Sequence, residues 1–147
     1  MAKATITYTC KVCGKQATES VTKYNRREAD SWETWAAAHI DTCPDCRRAA
    51  QKAERETKIS AAFSEFCDKS DVKLVELTGS PKQIAWAETI RRDCIALSVI
   101  EWDDLIPTET IMCINSKPAA SWWIDHRGMS ATEMLNTIAG EYFGEQP

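Results

Sequence analysis

The chain has 147 residues, 44% hydrophobic and 27% charged, enough for one ordinary domain or for a small domain joined to a larger one. Its formal charge is −4, with six Lys or Arg against six Asp or Glu over residues 1–46, six against five over 47–71, and six against eleven over 72–147. That acidic C-terminal balance speaks against a uniformly basic nucleic-acid module, and no apolar run approaches the roughly 18 residues of a membrane span, so a cytoplasmic protein with no membrane partner is expected.

The first feature along the chain is YTCKVCGKQ, in which Cys10 and Cys13 flank a two-residue gap and Gly14 can take the positive φ that closes a metal-binding knuckle. A short hairpin is expected after it, and the weak alternation of QATESVTKY predicts a strand. Asp30 and Glu33 have the spacing of a capping box, which predicts a short helix over 31–40. Trp32, Trp35, Ala36 and His39 would line the face of that helix that packs on the metal unit.

The second cysteine pair sits in TCPDCRRAAQKAERETK, where Pro44 suits a first helical turn and no Gly or Pro follows until Gly79. One long helix is predicted over 44–67. Its apolar positions Ala49, Ala53, Ile59, Phe63 and Phe66 become bulky only late, so the first half should be solvated and the second half should enter a core. VKLVEL fits a single strand or an extended connector.

In TGSPKQIAWAETIRRDCIALSVIEW, Ser80 and Gln83 form a capping box, Pro81 takes the first helical position, and Ile84, Ala87, Ile90, Cys94 and Leu97 share a stripe. This helix is expected at the centre of the core. Pro107 and Pro118 break the next stretch into IMCIN and AASWWID, the latter a short helix ending near Gly128. A last helix is predicted from Ser130, with Glu133 completing a capping box, Met129 and Met134 forming a hydrophobic staple, and Leu135, Ile138 and Tyr142 facing inward.

Two cysteines two residues apart bite a metal ion from one turn, and two such pairs complete a tetrahedral shell. Seven cysteines, an odd number, in a reducing compartment point to metal rather than disulfides. Cys10, Cys13, Cys43 and Cys46 are therefore the predicted ligands of one structural Zn2+. The 29 residues between the pairs, and the helix opened by the second pair, resemble a treble clef. Four thiolates leave no place for water, so this metal would hold the fold and not catalyse. Cys67, Cys94 and Cys113 are read as buried thiols, and His39 as a packed or surface residue.

The expected architecture is α+β and mostly helical: a treble-clef or zinc-ribbon-like unit over 1–60, carrying the start of the long helix, packed on a helical core over 61–147. There is no Gly-rich phosphate loop and no nucleophile elbow, and only His39 and His126 are present, so no enzymatic activity is expected. Arg48, Lys52, Arg55 and Lys58 fall along one helical face and are the candidate contacts to nucleic acid or an acidic surface, although Glu54 and Glu56 interrupt them. Six tryptophans exceed what a small core can centre. Trp102, Trp122 and Trp123, with the acidic Glu101, Asp103 and Asp104, are the candidate protein interface.

The segments CPDCRRAAQKAERE, LTGSPKQIAWAETIR and ASWWIDHR resemble a set of uncharacterised small proteins of bacteria and their phages or other mobile elements, over about residues 5–145. The resemblance implies a paired-cysteine zinc unit joined to a helical part, and nothing about catalysis. Small phage-borne proteins often bind a host complex, for instance to block a defence nuclease such as that of CRISPR. The leading expectation is therefore a non-enzymatic zinc protein that binds and modulates a host protein or nucleoprotein complex; the alternative is a nucleic-acid-binding zinc protein acting as regulator or adaptor.

Overall fold

The computed structural model describes residues 1–104 and 106–144; the end of the expected second unit, 145–147, lies outside the described residues. The fold is α+β and mostly helical. In chain order the elements are β1 (Ala2–Thr9), β2 (Gln16–Lys23), α1 (Arg26–His39), α2 (Pro44–Lys69), α3 (Pro81–Trp102), α4 (Thr108–Asn115), α5 (Ala120–Asp125) and α6 (Ala131–Gly144). The chain divides into two compact units, Met1–Arg55 and Glu56–Pro147, and α2 begins in the first and ends in the second.

In the first unit β1 and β2 form a two-stranded antiparallel sheet with Ala4 opposite Val21 and Thr7 opposite Thr18. The sequence reading anticipated β2 but not β1, and the hairpin expected after the knuckle is corrected: Cys10 and Cys13 lie in the turn of the β1–β2 hairpin, and β2 leads into α1. The alternation of β1 is nonetheless clean: Ala2, Ala4, Ile6 and Tyr8 turn inward while Lys3, Thr5, Thr7 and Thr9 are exposed, a period of two that half-buries a strand. The small inward residues Ala2 and Ala4 give little hydrophobic signal by themselves.

The helix expected over 31–40 starts five residues earlier. Asn25, not Asp30, caps it, its side chain accepting a hydrogen bond from the Glu28 N–H at 2.9 Å. Asp30 instead binds Arg26, and Glu33 accepts hydrogen bonds from the Thr5 N–H and from Arg26, each at 2.9 Å, so both acids pin α1 to the sheet and to itself. The expected packing face is corrected too. Of its four residues Ala36 is buried, joined by Ala29 against β1, and Trp32 is half-buried, while Trp35 and His39 are exposed, because alanine lets the helix approach the strands closely.

The second unit has one hydrophobic core. Ile59, Ala62 and Phe66 from α2 meet Ala87, Cys94, Ile95, Ala96 and Val99 from α3, with Ile111 and Ile114 of α4, Trp123 of α5, and Met134, Leu135 and Ile138 of α6. Burial on α2 therefore begins only at Ile59, as the delayed bulk of its apolar residues predicts, and residues 48–58 are exposed without interruption. The capping boxes at Ser80/Gln83 and Ser130/Glu133 both form, with reciprocal bonds of 3.1 to 3.4 Å and 2.8 to 3.3 Å. VKLVEL is an extended connector, held where Asn115 accepts from the Val75 N–H at 3.0 Å and donates to the Lys73 carbonyl at 2.9 Å. A parallel bridge between Thr78 and Ala119 closes it, and at Gly79, with φ of 149°, a Cβ would stand 3.2 Å from that of Ala120.

Two thiol assignments hold and one is corrected. Cys94 and Cys113 are buried, whereas Cys67 is exposed because it lies off the Ile59, Ala62, Phe66 line of α2. Among the described residues no helix is long and apolar enough to cross a membrane.

Trp123 is fully buried with its Nε1–H bonded to the Lys117 carbonyl at 2.9 Å, while Trp86 is 49% exposed. Trp123→Ala should therefore cost about 3–5 kcal/mol in urea unfolding. Trp86→Ala should cost less than about 1 kcal/mol.

Candidate metal centre

The four predicted ligands converge. The sulfurs of Cys10, Cys13, Cys43 and Cys46 all lie within 4.8 Å of one another, with Cys13 and Cys43 3.9 Å apart. Thiolates about 2.3 Å from a tetrahedral ion stand roughly 3.8 Å apart, so the cluster has the dimensions to hold one metal ion. Its four donors are sulfurs, which fits a soft or borderline metal and closes the shell.

Local chemistry builds each half. After β1 the chain turns sharply: the Gly14 N–H bonds the Cys10 carbonyl at 2.9 Å, the Cys10 N–H bonds the Lys15 carbonyl at 2.8 Å, and Gly14 takes a φ of 73°, a left-handed conformation that costs glycine nothing. On the other side Cys43 immediately precedes α2, its carbonyl accepting from the Arg47 N–H at 2.9 Å, and Cys46 sits in the first helical turn. A helix N-terminus carries partial positive charge and favours thiolate.

The two halves are also latched without metal. The Lys11 N–H bonds the Asp41 carbonyl at 2.8 Å and the Lys11 ammonium meets the Asp41 carboxylate at 2.6 Å, an exposed pair that adds registry more than energy. Behind the cluster, Arg47 donates to both oxygens of Glu19 at 2.8 Å, and the Tyr8 hydroxyl lies against Glu19 and 3.1 Å from the Thr42 carbonyl. Burial, then the bond to Glu19 and its charge, push Tyr8 up to about 12, so the phenol keeps its proton. Burial opposes the Glu19 charge, but the bonds from Tyr8 and Arg47 outweigh it and hold the carboxyl below its ordinary range. Sequence reasoning missed this network. Its members are 28 residues apart in the case of Glu19 and Arg47, and the only local signal is that Tyr8 and Arg47 flank metal-site cysteines.

The thiols shed their protons unequally. The backbone N–H of Cys43, 3.3 Å from the Cys10 sulfur, together with those of Cys13 and Val12, lowers Cys10 to about 6. Cys46, hydrogen-bonded to Cys43, desolvated, and next to the charge of Cys10, rises to about 12. Only a cation among them makes four thiolates compatible at neutral pH.

The remaining candidates separate. Arg48, Lys52, Arg55 and Lys58 all lie on the exposed stretch of α2, and Arg48 is engaged with Asp45. Trp123 is withdrawn from the candidate interface, since it fills the second unit's core. Trp122 is half-buried, edge-on to Trp123 and stacked on His126 at 4.0 Å. Trp102, Glu101, Asp103 and Asp104 are exposed, with Asp103 at a φ of 49° ending α3. His39 stacks on Trp35 and is not among the clustered ligands.

Two outcomes are expected. Cys13→Ser or Cys46→Ser should lose the metal and unfold the first unit while the second keeps its helical circular dichroism, because metal binding supplies folding free energy. Affinity should fall as pH falls, since protons compete for thiolates. Competition with a chromophoric chelator at several pH values will measure the fall.

No protein-family model matches the chain, and no curated protein or solved structure matches it. What the centre does must follow from its own geometry: a closed set of four sulfurs that can hold a metal ion and joins the end of a hairpin to the start of a helix.

Proposed function

We propose that this is a zinc-stabilised binding protein without enzymatic activity, whose helical unit docks on a partner protein. Zinc is the ion favoured by four sulfurs at tetrahedral spacing, and the likeness to a treble clef lies in the helix whose start supplies the second pair, although here the first pair forms the hairpin turn itself and α1 intervenes. With the shell closed, the ion stabilises the first unit and leaves recognition to the surface.

The observation that carries the reading is the exposure of large aromatics on α3. Trp86 is 49% and Trp102 40% exposed, although the same unit fully buries Trp123. Half-exposed tryptophans supply much contact area at low entropy cost and often anchor interfaces. The second unit is also strongly acidic, with eight Lys or Arg against fifteen Asp or Glu, so its partner surface should be basic. A host protein or nucleoprotein complex fits this chemistry. On the resemblance read from the sequence segments alone, the setting we propose is a phage or mobile-element accessory that inhibits a host defence system.

Metal analysis of protein never exposed to chelator should give about one zinc per chain. Affinity capture from bacterial lysate should recover one stable partner with the parent and not with Trp86→Ser/Trp102→Ser, whose metal content and helical circular dichroism should be unchanged. Equal recovery by both proteins, or modification of a target over many turnovers, would sink the proposal.

A further inference from the structure

The first unit differs in charge from the second. It carries ten Lys or Arg against seven Asp or Glu, and five of those seven carboxylates are spent on internal ion pairs: Asp41 with Lys11, Asp30 and Glu33 with Arg26, Glu19 with Arg47, and Asp45 with Arg48. Lys3, Lys15, Lys23 and Arg27 make no ion pair among the described residues. With four thiolates around a divalent ion contributing −2, the metal-loaded unit is close to neutral, against the strongly acidic second unit.

The β1–β2 ribbon of this unit has one face under α1 and one face bare. The bare face consists of the register pairs Lys3 with Thr22, Thr5 with Ser20, Thr7 with Thr18, and Thr9 with Gln16, all exposed. It bears six hydroxyls, one amide and one ammonium, and no carboxylate. The single acid on the ribbon, Glu19, is turned to the other face and neutralised by Arg47. Thr7 and Thr18 bond each other at 3.1 Å, which leaves acceptor capacity on both and one O–H free to donate. The default reading is a solvated face of β-prone threonines. That reading accounts for the threonines but not for the absence of acids on the face, nor for Lys3 and Lys15, without ion pairs among the described residues, at its two ends.

We propose that this bare ribbon face binds in the major groove of duplex DNA. Two strands of eight residues make a ribbon about 26 Å long. The B-form major groove, about 12 Å wide, admits a two-stranded ribbon. Serine and threonine bond to any base edge, glutamine pairs with adenine and lysine with guanine, while Lys15 at the turn meets a phosphate. The edge of β1 is closed, since Glu33 accepts from the Thr5 N–H and Arg26 donates to the Lys3 carbonyl at 3.2 Å, and Arg26 neutralises Glu33 there. The face therefore presents side chains, not an open backbone edge. This activity goes beyond the protein docking of the second unit and does not depend on it.

The test uses the full zinc-loaded chain and fluorescence anisotropy with one mixed sequence as duplex DNA, duplex RNA and single-stranded DNA. Duplex DNA should bind with a dissociation constant in the range of about 10⁻⁴–10⁻⁶ M and weaken about tenfold between about 50 and 200 mM salt. Thr7→Val/Thr18→Val removes hydroxyls without loss of shape or strand preference, and Gln16→Glu/Ser20→Glu adds charge at separated positions; each should weaken binding about tenfold with metal content retained. Lys3→Gln/Lys15→Gln should reduce the slope of log affinity against log salt by about two. Equal binding of duplex RNA, whose major groove is too narrow for a ribbon, or of single strands would overturn the proposal. So would unchanged affinity in the valine and glutamate variants, or loss of binding only when Arg48, Lys52, Arg55 and Lys58 are changed to Gln, which would assign the DNA to α2.

Discussion

The first unit contains very little with which to fold. Its buried apolar residues are Ala4, Ile6, Ala29 and Ala36, and the other buried side chains counted with them are the two ligands Cys10 and Cys43. One isoleucine and three alanines are a small return against the conformational entropy of some 55 residues. The convergence of four sulfurs between the hairpin and α2 is the constraint on which the unit depends: it closes the 29-residue excursion through β2 and α1 at both ends. The surrounding polar contacts, Lys11 with Asp41 and Tyr8 with Glu19 and Arg47, orient the two halves once they meet.

Because an ion held by these sulfurs would carry that burden, the surface of the first unit need not hide apolar groups. Its sheet can leave one face to threonine, serine, glutamine and lysine, and its acids can be consumed internally. The second unit follows the opposite economy. It buries Trp123, three isoleucines on α4 and α6, and most of the girth of α3 from Cys94 to Val99 around a single core, and it leaves Trp86 and Trp102 outside. A large core tolerates exposed aromatics because its stability does not rest on them. The two units thus differ in source of stability, in charge and in exposed chemistry.

Much of this was legible from residue order alone, for one physical reason: the signals are local. Two residues between cysteines fix a bite around an ion, and a serine three residues before glutamine or glutamate satisfies backbone donors at a helix start, so the metal ligands and the starts of α3 and α6 needed no knowledge of the rest of the chain. The delayed bulk along α2 likewise foretold where burial begins. Tertiary structure decided whatever depends on which surface a residue meets. Asn25 caps α1 because Asp30 and Glu33 are drawn to Arg26 and the β1 edge. Trp123 is core while Trp86 is surface, since an aromatic's place is set by its neighbours, and β1 exists because its alanines face a helix that brings alanines of its own. Glu19 and Arg47, far apart in sequence, meet only once the cysteine pairs have brought hairpin and helix together.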